Sequence, residues 1–415
     1  MQSRILRLAA AASLSVLSGC GVLGHQLLGL DNGGAGGNAS LGQGSIAPTV
    51  FGYAVADEPQ AAIVARQILN QGGNAADAAA AAGFAMAVTL PSRASLGGGG
   101  ACIVKMPDGK GNMQPPVALL FPAKAPAVSA GDRPAAVPML ARGLLALQAR
   151  YGQLPPSAVI VPAERLAGSA QLSPALETDL HVVGNALLAD SGAASIFAPN
   201  GTLLPVGATI SQPDLAATLE VLRTQGVQGF YAGIFAQQLA SAAQQAGGGF
   251  TTQDMAGATP KYTNPLFGSV KGYSTAYLPV ASGPGKVLPA SAAFMALDKK
   301  GGVVACATSD NNLFGTGRVA PGTGIILAAS PRTNPAADLA AAVAYTRGGL
   351  AFRAATTGTG QSAAALAAAD GLNNALAKKP GAPVAEPGRV NVISCPGNVP
   401  GGEASCTASA DPRGQ

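Results

Sequence analysis

Two kinds of apolar run alternate along the chain, and each predicts a different element. From Ala75 to Val88 nearly every position is small and apolar. Asn74 is placed to cap the run, Asp77 falls in its first turn and Pro91 ends it, which predicts a helix buried on most sides. Just before it, Ile63, Ile68 and Leu69 mark one face of a shorter helix. Asp57 is expected to cap that helix, Pro59 opens it and Gly72-Gly73 stop it. The second kind of run is shorter. Ser291 to Leu297 and Val303 to Thr308 read as two strands, joined by the turn chemistry of Asp298-Lys299-Lys300-Gly301-Gly302. In such a hairpin Ser309, Asp310, Asn311 and Asn312 return beside Ser291, and a hydroxyl with polar neighbours makes a candidate site. A strand from Ala101 to Met106 follows four glycines, Gly97 to Gly100. An Ala-rich helix is expected beyond Ser362, and a last strand at Arg389 to Ile393.

Composition narrows the picture. Aromatic residues make up 4% of the 415 residues and there is no Trp, so the interior must be built from Ala, Val, Leu and Ile packed closely. The net charge of +5 comes from scattered basic residues, which leaves no stripe for nucleic acid. His25 and His181 are the only two histidines and no Cys-x-x-Cys occurs. A zinc site or a Ser-His-Asp triad is therefore poorly supplied, and no cofactor or metal is called for.

The first residues carry an address. Arg4 and Arg7 precede the apolar stretch Leu8 to Leu17, which is too short to span a bilayer. Leu17-Ser18-Gly19-Cys20 resembles the lipobox of bacterial lipoproteins, in which the Cys is acylated. The expectation is a signal peptide over 1–20, lipidation at Cys20 and a flexible tether over 21–48. The protein would then be exported and anchored in the bacterial cell envelope, on the outer membrane facing the periplasm. An ordinary signal peptide is the alternative. Export suits Cys395 and Cys406 as a disulfide in the Pro/Gly-rich tail, while Cys102 and Cys306, in apolar strands, are expected to be buried free thiols.

The run Ala65 to Ala79, with its Gly72-Gly73-Asn74-Ala75-Ala76-Asp77-Ala78 core, is followed by Ser95-Leu96-Gly97-Gly98-Gly99-Gly100 and a strand. This order resembles the N-terminal signature of γ-glutamyltransferases. Arg150 to Pro155, Pro162 to Ala167, Gln212 to Leu219 and Gly229 to Gly233 continue the likeness through the helical middle, where Asp214 and Asp254 are expected to be helix caps. The resemblance implies an α+β fold, the four-layer αββα sandwich of N-terminal nucleophile hydrolases. It also implies a large-subunit-like region over 49–290 and a small-subunit-like region over 291–415, together one domain. Such a precursor cuts itself before the nucleophile, giving a heterodimer of its own fragments. The freed α-amine, with a pKa near ~8, then serves as base, so no histidine is required.

Site residues carried over from the resemblance are Ser291 as nucleophile and Ser309 as the hydroxyl that orients it. Asn311 and Thr333 fall at substrate-binding positions, and Gly358 and Gly360 at the oxyanion hole. Ser309 and Asn311 also suit the end of a strand, and glycine has many backbone uses. Four departures stand against the usual substrate. Pro122 occupies the place of the carboxylate-clamping Arg, and the nearby Lys124 is no bidentate substitute. Thr333 replaces the Asp that holds the substrate amine. The family's Ser-Ser pair is not recognisable before Ala342, and only Lys286 to Ala290 remain of the long segment before the nucleophile. The leading expectation is a γ-glutamyltransferase-like amide hydrolase or acyl transferase acting on a small-molecule amide or γ-glutamyl substrate. The alternatives are an amide acylase on a non-glutamyl substrate and an inactive lipid-anchored pseudoenzyme with a binding or structural role.

Overall fold

Asn74 caps its helix through its own side chain. Oδ1 accepts from the backbone N–H groups of Ala76 and Asp77, and the Asp77 carboxylate takes the Asn74 N–H at 3.1 Å, closing a capping box. The structure, a computed structural model, describes residues 51–279, 291–333 and 338–414. The signal and tether expected over 1–48, with Cys20, and the shortened segment ending at Ala290 lie outside the described residues.

Three helical elements precede the glycine cluster: α1 (Pro59–Asn70), α2 (Ala75–Thr89) and the short α3 (Pro91–Ala94). Every residue of α2 is buried, which is why its sequence shows no polar face. The cap of α1 corrects the sequence reading. Glu58 fills it, its Oε1 accepting from Gln60 N–H, because Asp57 is used elsewhere. Nor is Asp214 a cap: it lies in the first turn of the helix Pro213–Ala232, which Gln212 precedes. Asp254 acts from inside the first turn of the helix Thr252–Gly257, completing a capping box with Thr251.

The principal strands, in chain order, are β1 (Gly52–Ala56), β2 (Gly99–Lys105), β3 (Val117–Phe121), β4 (Lys261–Thr263), β5 (Leu266–Val270) and β6 (Tyr273–Tyr277). They continue with β7 (Ser291–Asp298), β8 (Val303–Ser309), β9 (Ala340–Tyr345), β10 (Phe352–Thr359), β11 (Arg389–Val399) and β12 (Thr407–Ser409). Two six-stranded antiparallel sheets result, ordered β1-β7-β8-β2-β3-β4 and β12-β11-β10-β9-β6-β5. Cores on three levels make the layers. Ala292, Phe294 and Ala296 join the N-terminal helices; Met295, Leu297 and Ala305 meet Val343 and Ile393 between the sheets; Ala354 and Val392 pack on the helix Ala364–Leu376. This is the expected α+β sandwich. Both faces of β7 and β8 are covered, so neither strand alternates with polar residues.

The hairpin turn is fastened by Asp298. Its Oδ1 accepts from Lys300 and Gly302 N–H, and its Oδ2 from Ala75 N–H at the start of α2. One end of the hairpin is thus tied to the helical layer, and the other carries Ser291.

Cys102 and Cys306 correct an expectation. They are joined as a disulfide, because β2 and β8 are neighbours whose register sets the two residues directly opposite. Cys395 and Cys406 form a second disulfide.

Candidate functional site

Register places Ser291 directly across from Ser309, at the end of the hairpin away from its turn. Facing cross-strand Cβ atoms lie about 4.5–5.5 Å apart. Met295 and Leu297 point between the sheets, as do Val303, Ala305 and Ala307. By the period of two, Ser291 and Ser309 face the same inter-sheet layer. Both are buried, and among the described residues no side-chain hydrogen bond engages the Ser291 hydroxyl. The Ser309 Oγ accepts from the Asn311 N–H at 2.8 Å, leaving its own hydroxyl hydrogen to be donated.

Asn311 adopts φ +62°, a left-handed conformation that Asn tolerates, and its Nδ2 donates to Ala329 O at 2.8 Å. Ser291, Ser309 and Asn311 are therefore brought together. Thr333 is exposed at the end of the segment that follows Ala329, its hydroxyl donating to Ser330 O. Gly358 sits within the ladder between Ala340 and Val390, and a Cβ there would come within 2.0 Å of Ala364 O on the outer helix. Gly360 follows at φ +105° against Pro387 O. These two glycines are needed by the close approach of backbone, whatever else their amides do. A cleft of about 380 Å³ lined by Tyr53, Lys299 and Glu403 lies at the turn end of the hairpin, roughly 23 Å along β7 from Ser291, and is remote from this chemistry.

Two buried acids beside the hairpin take parts that the sequence did not announce, Asp57 having been expected as a helix cap and Asp310 only as one of the polar residues that follow β8. Asp57 lies past the end of β1. Its N–H donates to Ala293 O and its Oδ2 accepts from Ala293 N–H at 2.8 Å, two residues from Ser291. Asn391 of the opposite sheet donates to Asp57 Oδ1 at 2.6 Å and accepts from Asp411 N–H, so this chain of bonds ties both sheets at the site. Burial raises the Asp57 carboxyl to about 6, against the opposing pull of Asn391. The only hint in the sequence is an acid just before Pro59, which local rules assign to a cap.

The second group is Asp310, wholly buried between the two site residues. Its carboxylate lies against Ser95, with Ser95 N to Oδ2 at 3.1 Å and Ser95 Oγ to Oδ1 at 2.9 Å. Gly98 makes room for it, since a Cβ there would lie 2.1 Å from Asp310 Oδ1 and 2.6 Å from Ser309 O. Gly98→Ala is therefore expected to lower stability by about 1–3 kcal/mol, measured by denaturant unfolding, because the backbone of Ser309 has nowhere to go.

α3 packs over the heads of β7 and β8. Its Arg93 is buried and paired with Asp179 through Nε at 2.7 Å and Nη2 at 2.6 Å, while Ser92 Oγ donates to the same carboxylate. Arg93 Nη1 has no partner among the described residues.

Comparison with known proteins places this geometry in context. The sequence pattern of the family described as Gamma-glutamyltranspeptidase matches residues 61–290. The glutathione hydrolase proenzyme of Escherichia coli (strain K12) is 33% identical over 239 residues, 52% of this chain and 40% of that protein. Glutathione hydrolase 2 of Arabidopsis thaliana is 30% identical over 247 residues, 57% of this chain and 43% of that protein. The chain thus aligns with about two fifths of the length of these relatives. Among solved structures, the cephalosporin acylase from Bacillus halodurans superposes with a TM-score of 0.69 at 16% identity, covering 89% of this chain and 95% of that one, a likeness of fold.

Proposed function

This chain belongs to the gamma-glutamyltranspeptidase family, and from that premise we propose that it is a self-processing amide hydrolase or acyl transferase with Ser291 as its N-terminal nucleophile. The observation that carries the reading is the pairing of Ser291 with Ser309 on the inter-sheet face, next to Asn311.

The steps balance without a histidine. In the precursor, Ser291 Oγ attacks the Ala290 carbonyl carbon, the peptide C–N bond breaks as the hydroxyl proton passes to the departing Ser291 nitrogen, and water hydrolyses the ester so formed. The products are a carboxylate at Ala290 and a free amine at Ser291. In turnover the same Oγ attacks the substrate amide while its proton passes to the α-amine and then to the departing nitrogen. Water or an acceptor amine finally takes the acyl group. Ser309 orients the nucleophile. The oxyanion is assigned to the amide at Gly360, Gly358 being committed to the sheet ladder.

Pro122 and Thr333 favour a substrate without the glutamyl carboxylate and amine. The Thr333 hydroxyl is turned onto Ser330 O, and a proline offers no cation. Side-by-side assay of γ-glutamyl and plain acyl amides separates the two substrate classes, and no turnover of either favours the pseudoenzyme. The proposal includes export and lipidation at Cys20; two disulfides within the fold suit an oxidising compartment.

The test is intact-mass analysis of the purified full chain. Cutting between Ala290 and Ser291 leaves Cys102 and Cys306 on different fragments, still joined through their disulfide. The expected result is one band on a non-reducing gel that separates into two on reduction. A single reduced chain of full mass would rule out the amine as base.

A further inference from the structure

The Ser95 hydroxyl carries one hydrogen but meets two oxygens at bonding distance, Ile326 O at 2.7 Å and Asp310 Oδ1 at 2.9 Å. A backbone carbonyl can only accept, so the shorter contact takes the Ser95 hydrogen. The contact to Asp310 is then a hydrogen bond only if the carboxyl supplies the proton. The second carboxyl oxygen accepts the Ser95 N–H, as a neutral acid's carbonyl oxygen does. Among the described residues no cationic side chain is recorded against the Asp310 carboxyl. The basic side chains of the neighbouring segments are engaged elsewhere: Arg93 with Asp179, Arg318 with Asp132, Arg133 with Thr316 O and Arg332 with Ala127 O. Acidic groups nearby face other partners, Asp57 on Ala293 and Asp298 on the hairpin turn.

We propose that Asp310 is a proton-holding positioning residue: as a neutral acid it pins the turn carrying Ser309 and Asn311 to the glycine-rich loop and to Ile326, and it releases that turn on ionising. The proposal rests on the reading of Ser309 and Asn311 as site residues. The links run in sequence. The Asp310 proton goes to Ser95 Oγ, the Ser95 hydrogen to Ile326 O, and the Ala329 N–H to Asp310 O, while Asn311 holds Ala329 O from the other side. Loss of the Asp310 proton turns the Ser95 hydrogen toward the carboxylate and leaves Ile326 O without its donor. It also places a bare charge beside the peptide of Ser309.

Burial raises the Asp310 carboxyl to about 7, against the opposing pull of the Ser95 hydrogen bonds. The sign follows from proton linkage. Between about 4, where an unfolded Asp ionises, and about 7, the folded state holds a proton that the unfolded state has lost. This group's stabilising contribution is therefore complete below about 4 and is lost as the pH rises through about 7.

Asp310→Asn preserves the neutral arrangement, with Oδ1 accepting from Ser95 N–H and Nδ2 donating to Ser95 Oγ, and it does not titrate. The difference in Tm between this variant and the wild-type chain is expected to be small at pH 4.5 and to grow by several degrees in the variant's favour by pH 8. In the same preparations, wild-type kcat/KM should fall about tenfold per pH unit on its alkaline side, and the variant should lack that limb. A Tm difference independent of pH, or a variant that does not fold, overturns the proposal, since every bond of the neutral acid is retained. Wild type inactive on every amide with the Tm difference as expected would sink the functional reading and spare the proton assignment. An active enzyme with a flat Tm difference would do the reverse.

Discussion

Ser291→Ala is expected to yield a single chain of full mass under reducing conditions, with amide turnover reduced on the order of 10⁴-fold or more. Two losses combine in this variant. The hydroxyl that would cut the Ala290–Ser291 bond is gone, so the α-amine that would serve as base is never released. Even a chain supplied already cut would have no oxygen to carry the acyl group. Ser291→Thr keeps the hydroxyl and adds a methyl at a strand position that suits β-branched residues, so it should still cut and still turn over. Intact mass and a chromogenic amide assay on the two variants separate a loss of chemistry from a loss of fold. If Ser291→Ala is cut at the same bond, the nucleophile lies elsewhere.

The second large effect is structural. Asp179→Ala should cost about 3–5 kcal/mol of stability, because it leaves the Arg93 guanidinium buried and unpaired and strips Ser92 of its acceptor. A domain of ordinary stability has only about 5–15 kcal/mol in total. Replacing both partners by apolar side chains, Arg93→Met with Asp179→Leu, should restore much of the loss, since no charge then remains to be desolvated. Chemical denaturation of the two variants reads this directly. An equal loss in the double variant would mean that the pair contributes through α3's grip on the hairpin heads rather than through its charges.

Much of the candidate site's layout could be read from local pattern. Asp298-Lys299-Lys300-Gly301-Gly302 fixes where the hairpin bends, Gly301 taking φ +83°, and the pairing of Ser291 with Ser309 follows by counting along two strands of known period. Asn74 and Asp77 announce the start of α2 for a similar reason, as their bonds span two or three residues. The family likeness supplied the sandwich. Asp57 eluded the same logic because the local rule assigned it to a cap, whereas its partners Ala293 and Asn391 stand 236 and 334 residues away.

The sequence by itself therefore determined the first helices, the hairpin with its register, the hydroxyl at the hairpin's open end and the family to which that pattern belongs. Each rests on bonds between near neighbours or on a repeat of fixed period. Only the tertiary structure decided that Cys102 and Cys306 are joined, that Asp57 bridges the two sheets and that Asp310 is enclosed against Ser95. Those facts depend on which strands become neighbours and on how much water is excluded around a carboxyl. Burial acts on a group through its surroundings in three dimensions, so no run of adjacent residues records it.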